Sequence, residues 1–255
     1  MFSEANVSLF AGMNEGPAEK ATTSYAQWGD DRLVLEYFAG RENCTFLEAG
    51  ANDPVSLSQT YLLEQHGWRG VLVEPVASCC ERLRAVREGS QVFQNALGAP
   101  EDRGALRLFV PDGVTELTRA CEAGDEAMPG EHIEAEFMTL NEVLESAGLA
   151  HLTYLSLDLE GMEDRALRGL DFQRFQPELI IVEDRVEHLR THRLLCAEGY
   201  KLVRRNGSNH WYVPNEVVFP VSLADRLQHF RKLYLSMPFR RLRGLLRQIR
   251  ARFNP

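Results

Sequence analysis

The residues best placed to do chemistry are carboxylates that close apolar runs, one of them followed directly by a glycine-bearing turn. The first group lies in residues 44–75, CTFLEAGANDPVSLSQTYLLEQHGWRGVLVEP. Glu48 ends the run from Cys44 to Leu47, Ala49-Gly50-Ala51-Asn52-Asp53-Pro54 forms a turn, and Glu74 ends Val71-Leu72-Val73. A carboxylate placed like Glu74 accepts hydrogen bonds from two ribose hydroxyls, and a glycine at position 50 lets a ligand approach the backbone. The second group lies in residues 151–172, HLTYLSLDLEGMEDRALRGLDF, where Asp158, Glu160 and Glu163 crowd the end of the run Leu152 to Leu157. A third acidic end, Glu183-Asp184, follows Leu179 to Val182. Asp158 and Glu160 are candidates for a general base that takes a hydroxyl proton. Asp158 with Glu183 or Asp184 is the alternative, a hard-oxygen site for a divalent cation.

The elements that must position these residues read as strand, loop, helix, strand. The helix is expected from Val55 to Gln65, carried by Leu57, Tyr61 and Leu62 and stopped at Gly67. This is the layout of a nucleotide-binding unit without a full G-x-G-x-x-G, because Asn52 and Pro54 stand where further glycines would be. A nucleoside without phosphates fits such a turn better than a dinucleotide, and S-adenosylmethionine (SAM) is the commonest on this architecture; an ordinary strand-to-helix turn is the bland alternative. A helix is expected over Ala77 to Arg87 and a strand over Gln91 to Gln94, ending on Asn95, which either helps hold an adenine or is a turn asparagine. Strand-like segments Ala105 to Val110 and Ile133 to Met138 flank an insertion, Pro111 to Gly130, of the kind that forms a lid or substrate wall. Thr139 and Glu142 form a capping box for a helix from Leu140 to Ala147. His188 and His192 lie one turn apart on a helix expected from Val186 to Glu198; a solvated face is favoured there over a metal site. Tyr200 to Arg204 and His210 to Val213 read as a hairpin around Asn206-Gly207-Ser208-Asn209.

The 255 residues suit one large α/β domain with appendages. No basic leader followed by an apolar core and no long apolar run is present, so the expectation is a cytoplasmic protein with five reduced cysteines, peripheral on the inner face of the membrane if attached at all. Charge is uneven: from Ser222 onward nine Lys and Arg face one acid, Asp225, a balance of +8 that leaves −17 (19 basic, 36 acidic) elsewhere.

TFLEAGAND, VLVEP, QNALG, MTLNEVLESAG, LSLDLEGMEDRALRGLDF, LIIVE and the closing hairpin resemble, in that order, the FkbM-type SAM-dependent methyltransferases, over roughly residues 43–214. The most specific part is Asp158-Leu159-Glu160-Gly161-Met162-Glu163. The resemblance implies a class I, Rossmann-like α/β fold: a mostly parallel seven-stranded sheet flanked by helices and closed by an antiparallel hairpin strand. It implies SAM held by Glu48, Gly50, Ala51, Asn52, Glu74, Pro75, Asn95, Ala96 and Asp158, and O-methylation of a hydroxyl, usually of a sugar in a glycan, polysaccharide or glycolipid. A small natural product as acceptor, or a SAM-binding module without turnover, are the alternatives. The expected organisation is a lead-in and helix over 1–42, the methyltransferase domain over 43–221 and a basic amphipathic helical tail over 222–255. In the tail, Leu223, Leu227, Phe230 and Tyr234 share one face, and after Met237-Pro238 a second helix carries Phe239, Leu242, Leu246, Ile249 and Phe253. Such a tail fits an anionic membrane surface, or packs on the domain or a homodimer partner; no nucleic-acid partner is expected, since no aromatic platform accompanies the charge.

Overall fold

Apolar runs of four to seven residues with β-branched and aromatic side chains on alternating faces build the main sheet. Its strands are β1 (Thr45–Ala49), β2 (Arg69–Val73) and β3 (Ser90–Phe93), then β8 (Tyr154–Leu157), β9 (Leu179–Glu183), β10 (Tyr200–Asn206) and β11 (Asn209–Pro214). The intervening β4 (Ala96–Leu97), β5 (Ala105–Pro111), β6 (Arg119–Ala120) and β7 (Gly130–Met138) form a second sheet. The computed structural model describes residues 23–39, 41–102, 104–121, 128–184, 188–235 and 238–239. The lead-in up to residue 22, part of the insertion and the second tail helix from residue 240 onward therefore lie outside the described residues.

The main sheet runs β3-β2-β1-β8-β9-β11-β10. β1 is parallel to β2 and β8, β2 to β3, and β8 to β9, whereas β11 is antiparallel to both β9 and β10. The sheet is therefore mixed, with the hairpin supplying the reversed strand. Leu47, Val71, Leu155 and Ile180 face one core cluster, against α4 (Leu140–Ser146) and α5 (Glu163–Arg168). Phe46, Leu72, Tyr154 and Ile181 face the other, against α1 (Asp30–Tyr37), α2 (Tyr61–Gln65) and α3 (Ala77–Val86). The chain leaves β1 toward β2 and β3 and later returns to β8 on β1's other side. That reversal opens a crevice at the carboxyl ends of β1 and β8, where ligands bind in open α/β sheets.

Two helix expectations need correction, and the two expected strand segments gain a pairing. The helix expected from Val55 to Gln65 is only Tyr61–Gln65, because residues 58–60 are drawn into an extended loop around Glu48. Leu57 sits at φ +62 and bridges to Ala26. The two strand-like segments flanking the insertion pair with each other, Ala105–Pro111 against Gly130–Glu136, and build the separate four-stranded sheet β4-β7-β5-β6. The helix expected from Val186 is Arg190–Ala197 (α6), with residues 185–187 outside the described set. The Thr139–Glu142 capping box and the hairpin form as expected. All five cysteines are free. Among the described residues no helix is long and apolar enough to cross a membrane.

The hairpin is fastened to α1 by one buried carboxylate. Asp30 accepts hydrogen bonds from Asn209 Nδ2 and Trp211 Nε1, both at 2.7 Å, and from Asn206 Nδ2 at 3.1 Å. Asp30→Ala leaves two buried donors unpaired, at about 1–3 kcal/mol each, so urea unfolding should report a loss of about 2–4 kcal/mol; a loss under about 1 kcal/mol would show that the carboxylate is not the fastening.

Candidate functional site

The crevice at the β1–β8 switch point is an open pocket. Its floor is the turn after β1. Gly50 has φ +80, and a Cβ built there would come within 1.9 Å of the Asp158 carbonyl oxygen. The glycine is therefore required first by the neighbouring strand end: only a residue without a side chain lets this turn and Asp158 lie against each other. Gly50 and Ala51 both donate their amides to the Val73 carbonyl, which ties the turn to β2 as well.

Glu74 closes the opposite side. Its Oε2 accepts the Asn52 amide at 3.0 Å and its Oε1 the Val76 amide at 2.9 Å. Each oxygen keeps a second acceptor direction, which fits a vicinal diol. Burial pushes this carboxyl up, with the amides of Val76 and Asn52 acting against it. Pro75, Asn95 and Ala96 also line the pocket, and Asn95 Nδ2 donates to the Glu136 carbonyl at 3.2 Å.

Glu48 lines the pocket but its carboxylate is engaged by the protein itself. Oε1 accepts the Gln59 amide at 2.7 Å, and Oε2 takes the hydroxyls of Ser58, at 3.1 Å, and Thr60. The Arg87 guanidinium, whose side chain is fully buried, lies 3.9 Å from Glu48 and binds Glu64 at 2.8 Å, Thr60 Oγ1 at 2.8 Å and Ser58 Oγ at 3.2 Å. Burial pushes Glu48 up; Arg87 opposes this, and so do the donors. Glu48 thus shapes the loop over the turn.

At the end of β8, Asp158 lines the pocket and is exposed to it. It hydrogen-bonds Glu183, the residue at the end of the adjacent strand β9. Burial, then the charges of Glu183 and Glu160, hold its carboxyl well above the ordinary carboxylate range. Glu160 lines the same wall and carries φ +48, strain of about 1–3 kcal/mol that clusters at functional sites. Glu163 is buried and fixes this turn by accepting the amides of Leu159 and Gly161, both at 3.0 Å.

The structure brings together in one pocket Glu48, Gly50, Ala51, Asn52, Glu74, Pro75, Asn95, Ala96, Asp158, Glu160 and Glu183. Asp184 is not among the lining residues. Among the described residues no group of three or more His, Cys, Asp or Glu is arranged to hold a metal ion, so the cation alternative at Asp158, Glu183 and Asp184 finds no support. His192 is half-buried, with its Nδ1 3.1 Å from the Tyr212 hydroxyl, rather than on a solvated face.

Sequence reasoning passed over two contributors. The insertion supplies Thr115, Glu116 and Arg119 to a wall that β5 continues with Leu106 and Leu108; that a wall would form was legible, its residues were not. Thr115 Oγ1 latches it to Asn52 Oδ1 at 2.6 Å. Gln59 Oε1 is buried in the pocket lining with no protein donor, an acceptor suited to an ammonium or hydroxyl of a ligand. Among the described residues the lining holds six carboxylates (Asp53, Glu74, Glu116, Asp158, Glu160, Glu183) besides the Arg87-paired Glu48, and one cation, Arg119. That balance disfavours a polyphosphate and suits a cationic nucleoside, so the residues present fit SAM.

A family model described as the methyltransferase FkbM domain matches residues 48–202, a span that runs from Glu48 at the end of β1 into β10. No curated protein matches the chain. Similar solved structures include a SAM-dependent methyltransferase from Aquifex aeolicus, at 11% identity over 72% of this chain and 87% of that one, with a TM-score of 0.38. Another is the precorrin-6y C5,15-methyltransferase from Geobacter metallireducens GS-15, at 11% identity over 72% and 85%, also with a TM-score of 0.38.

The Glu48–Arg87 arrangement makes a stability prediction. Arg87→Met strands a buried carboxylate and should cost about 3–5 kcal/mol in denaturant unfolding. The double variant Glu48→Gln/Arg87→Met should recover part of that loss, and simple additivity of the two single effects would contradict the coupling.

Proposed function

The chain belongs to the methyltransferase FkbM domain family, and on that premise we propose that it is a SAM-dependent O-methyltransferase acting on a hydroxyl of a sugar, in a glycan, polysaccharide or glycolipid. The observation that carries the proposal is the convergence, in one acid-lined pocket at the switch point, of the Gly50 turn, Glu74 and the raised Asp158 carboxyl.

When bound, SAM supplies an electrophilic methyl group on a sulfonium. Glu74 takes the ribose hydroxyls on the free acceptor directions of its two oxygens, and the turn from Gly50 to Asn52 presents its backbone to the rest of the donor. The carboxylates of the wall favour the cationic donor over a phosphorylated competitor, and they favour a neutral acceptor, as an unphosphorylated sugar is, over an anionic one.

Alkylation of a hydroxyl requires the oxygen to approach in line and to lose its proton. Asp158 stands at the strand end facing the pocket and receives that proton on its carboxylate, leaving a neutral acid beside Glu183 and Glu160. Protonation relieves the repulsion among these groups, which is why a carboxylate in this setting is a stronger base than one in water. Glu160 sustains that basicity and orients the acceptor from the same wall.

The sign of the pH dependence follows. Asp158 must be deprotonated to act, and its protonated form is favoured here, so the rate should climb with pH through a midpoint above the ordinary carboxylate range. With isotopically labelled SAM and saccharide or glycolipid extracts as acceptors, the product should be an O-methyl sugar. Asp158→Asn should lower kcat about 10²–10⁴-fold and remove that limb. Methylation at nitrogen or carbon, or an unchanged rate in Asp158→Asn, would overturn the reading; donor binding without transfer to any acceptor would leave a binding module.

A further inference from the structure

α7 (Leu223–Phe230) begins on a capping box, in which Ser222 Oγ accepts the Asp225 amide at 3.1 Å, and continues into a wider turn, Arg231–Leu235. It is held to the domain along one side. His229 is buried, and Leu233, only 4% exposed, clusters with Leu189 and Leu202. The other large apolar side chains point to solvent: Leu223 is 74% exposed, Leu227 61%, Phe230 54% and Tyr234 46%. Their spacing of three and four residues makes one stripe, and the Phe230 and Tyr234 rings lie 5.4 Å apart along it. At 3.6 residues per turn, Arg226 and Arg231 stand roughly 60–80° to either side of the stripe, and both are exposed.

We propose that this stripe docks the protein on a lipid surface carrying anionic headgroups. Apolar side chains rimmed on both sides by arginine match the two layers of such a surface, with the stripe sinking below the headgroups and the guanidinium groups meeting their phosphates. The charge of the chain selects this face. Residues outside 222–255 sum to −17 and are repelled by anionic lipid, whereas residues 222–255 sum to +8, six of their arginines lying in 240–255 beside no acid. The same charges weigh against the other occupants. A second copy of the stripe would bring Arg226 and Arg231 against their own counterparts, and residues 240–255 folded over it would add six more cations.

The test is co-sedimentation of the full chain with vesicles of phosphatidylcholine alone and with roughly 30 mol% phosphatidylserine added, alongside light scattering for oligomeric state. The expected result is a monomer that pellets with the anionic vesicles only, less so as salt rises. Leu227→Asp/Phe230→Asp should weaken partitioning at least about tenfold, and Arg226→Glu/Arg231→Glu should do the same while keeping the apolar stripe. Circular dichroism should show both variants folded, and methyl-transfer activity in solution should be unchanged in both. Failure to pellet, equal pelleting with neutral vesicles, or pelleting indifferent to both variants would overturn the proposal. So would a dimer that Leu227→Asp/Phe230→Asp separates, which would assign the stripe to a second copy.

Discussion

One backbone contact sets the rest of the site: the turn at Gly50 lies so close to the Asp158 carbonyl that no side chain fits between them. β1 and β8 are neighbours only because the chain reverses its direction of travel across the sheet, and that reversal puts their carboxyl ends side by side. A glycine with φ +80 at the end of β1 lets the cofactor turn fold flat against β8 and continue to the amides held by Val73 and Glu74. Everything the site does chemically depends on that adjacency, because the groups suited to a nucleoside come from the β1–β2 side and the acids suited to proton transfer come from the β8–β9 side.

Crowded charge is the second constraint, and the site manages it in two ways. Glu48 is neutralised by construction: Arg87, Ser58, Thr60 and the Gln59 amide surround it, so its burial organises a loop. Asp158 is faced instead by the carboxylates of Glu183, Glu160 and Glu163, and its proton affinity rises accordingly. Two acids that look alike in sequence, each ending an apolar run, therefore sit in different surroundings, one beside a cation and the other among carboxylates.

That difference explains what could be read from the sequence. The strands were legible because buried parallel strands are short apolar runs and the acid at each end marks where they reach solvent. The switch point was legible because β1 and β8 both carried such ends. Residues 55–60 were misread as helix because Leu57, Tyr61 and Leu62 share helical spacing, while the groups that unwind this stretch, Glu48 and Arg87, lie 10 and 29 residues along the chain from Ser58, which both of them bind. The second sheet was missed for the same reason: β5 and β7 were each visible, but their pairing spans an insertion that carries no periodicity of its own. Gln59 gave no signal at all, since an unpaired buried acceptor is a property of packing.

The central claim is that the acid-lined crevice between β1 and β8 binds an adenosine-bearing sulfonium, with Glu74 on the ribose. Isothermal titration of the purified protein with SAM and with S-adenosylhomocysteine tests it most directly, paired with Glu74→Gln, which keeps the size of the side chain and removes its charge. The account predicts one-to-one binding of both ligands by the wild type and at least about tenfold weaker binding by the variant, the loss of a charge-assisted hydrogen bond. No heat from either ligand with folded protein, or equal affinity in Glu74→Gln, would contradict it.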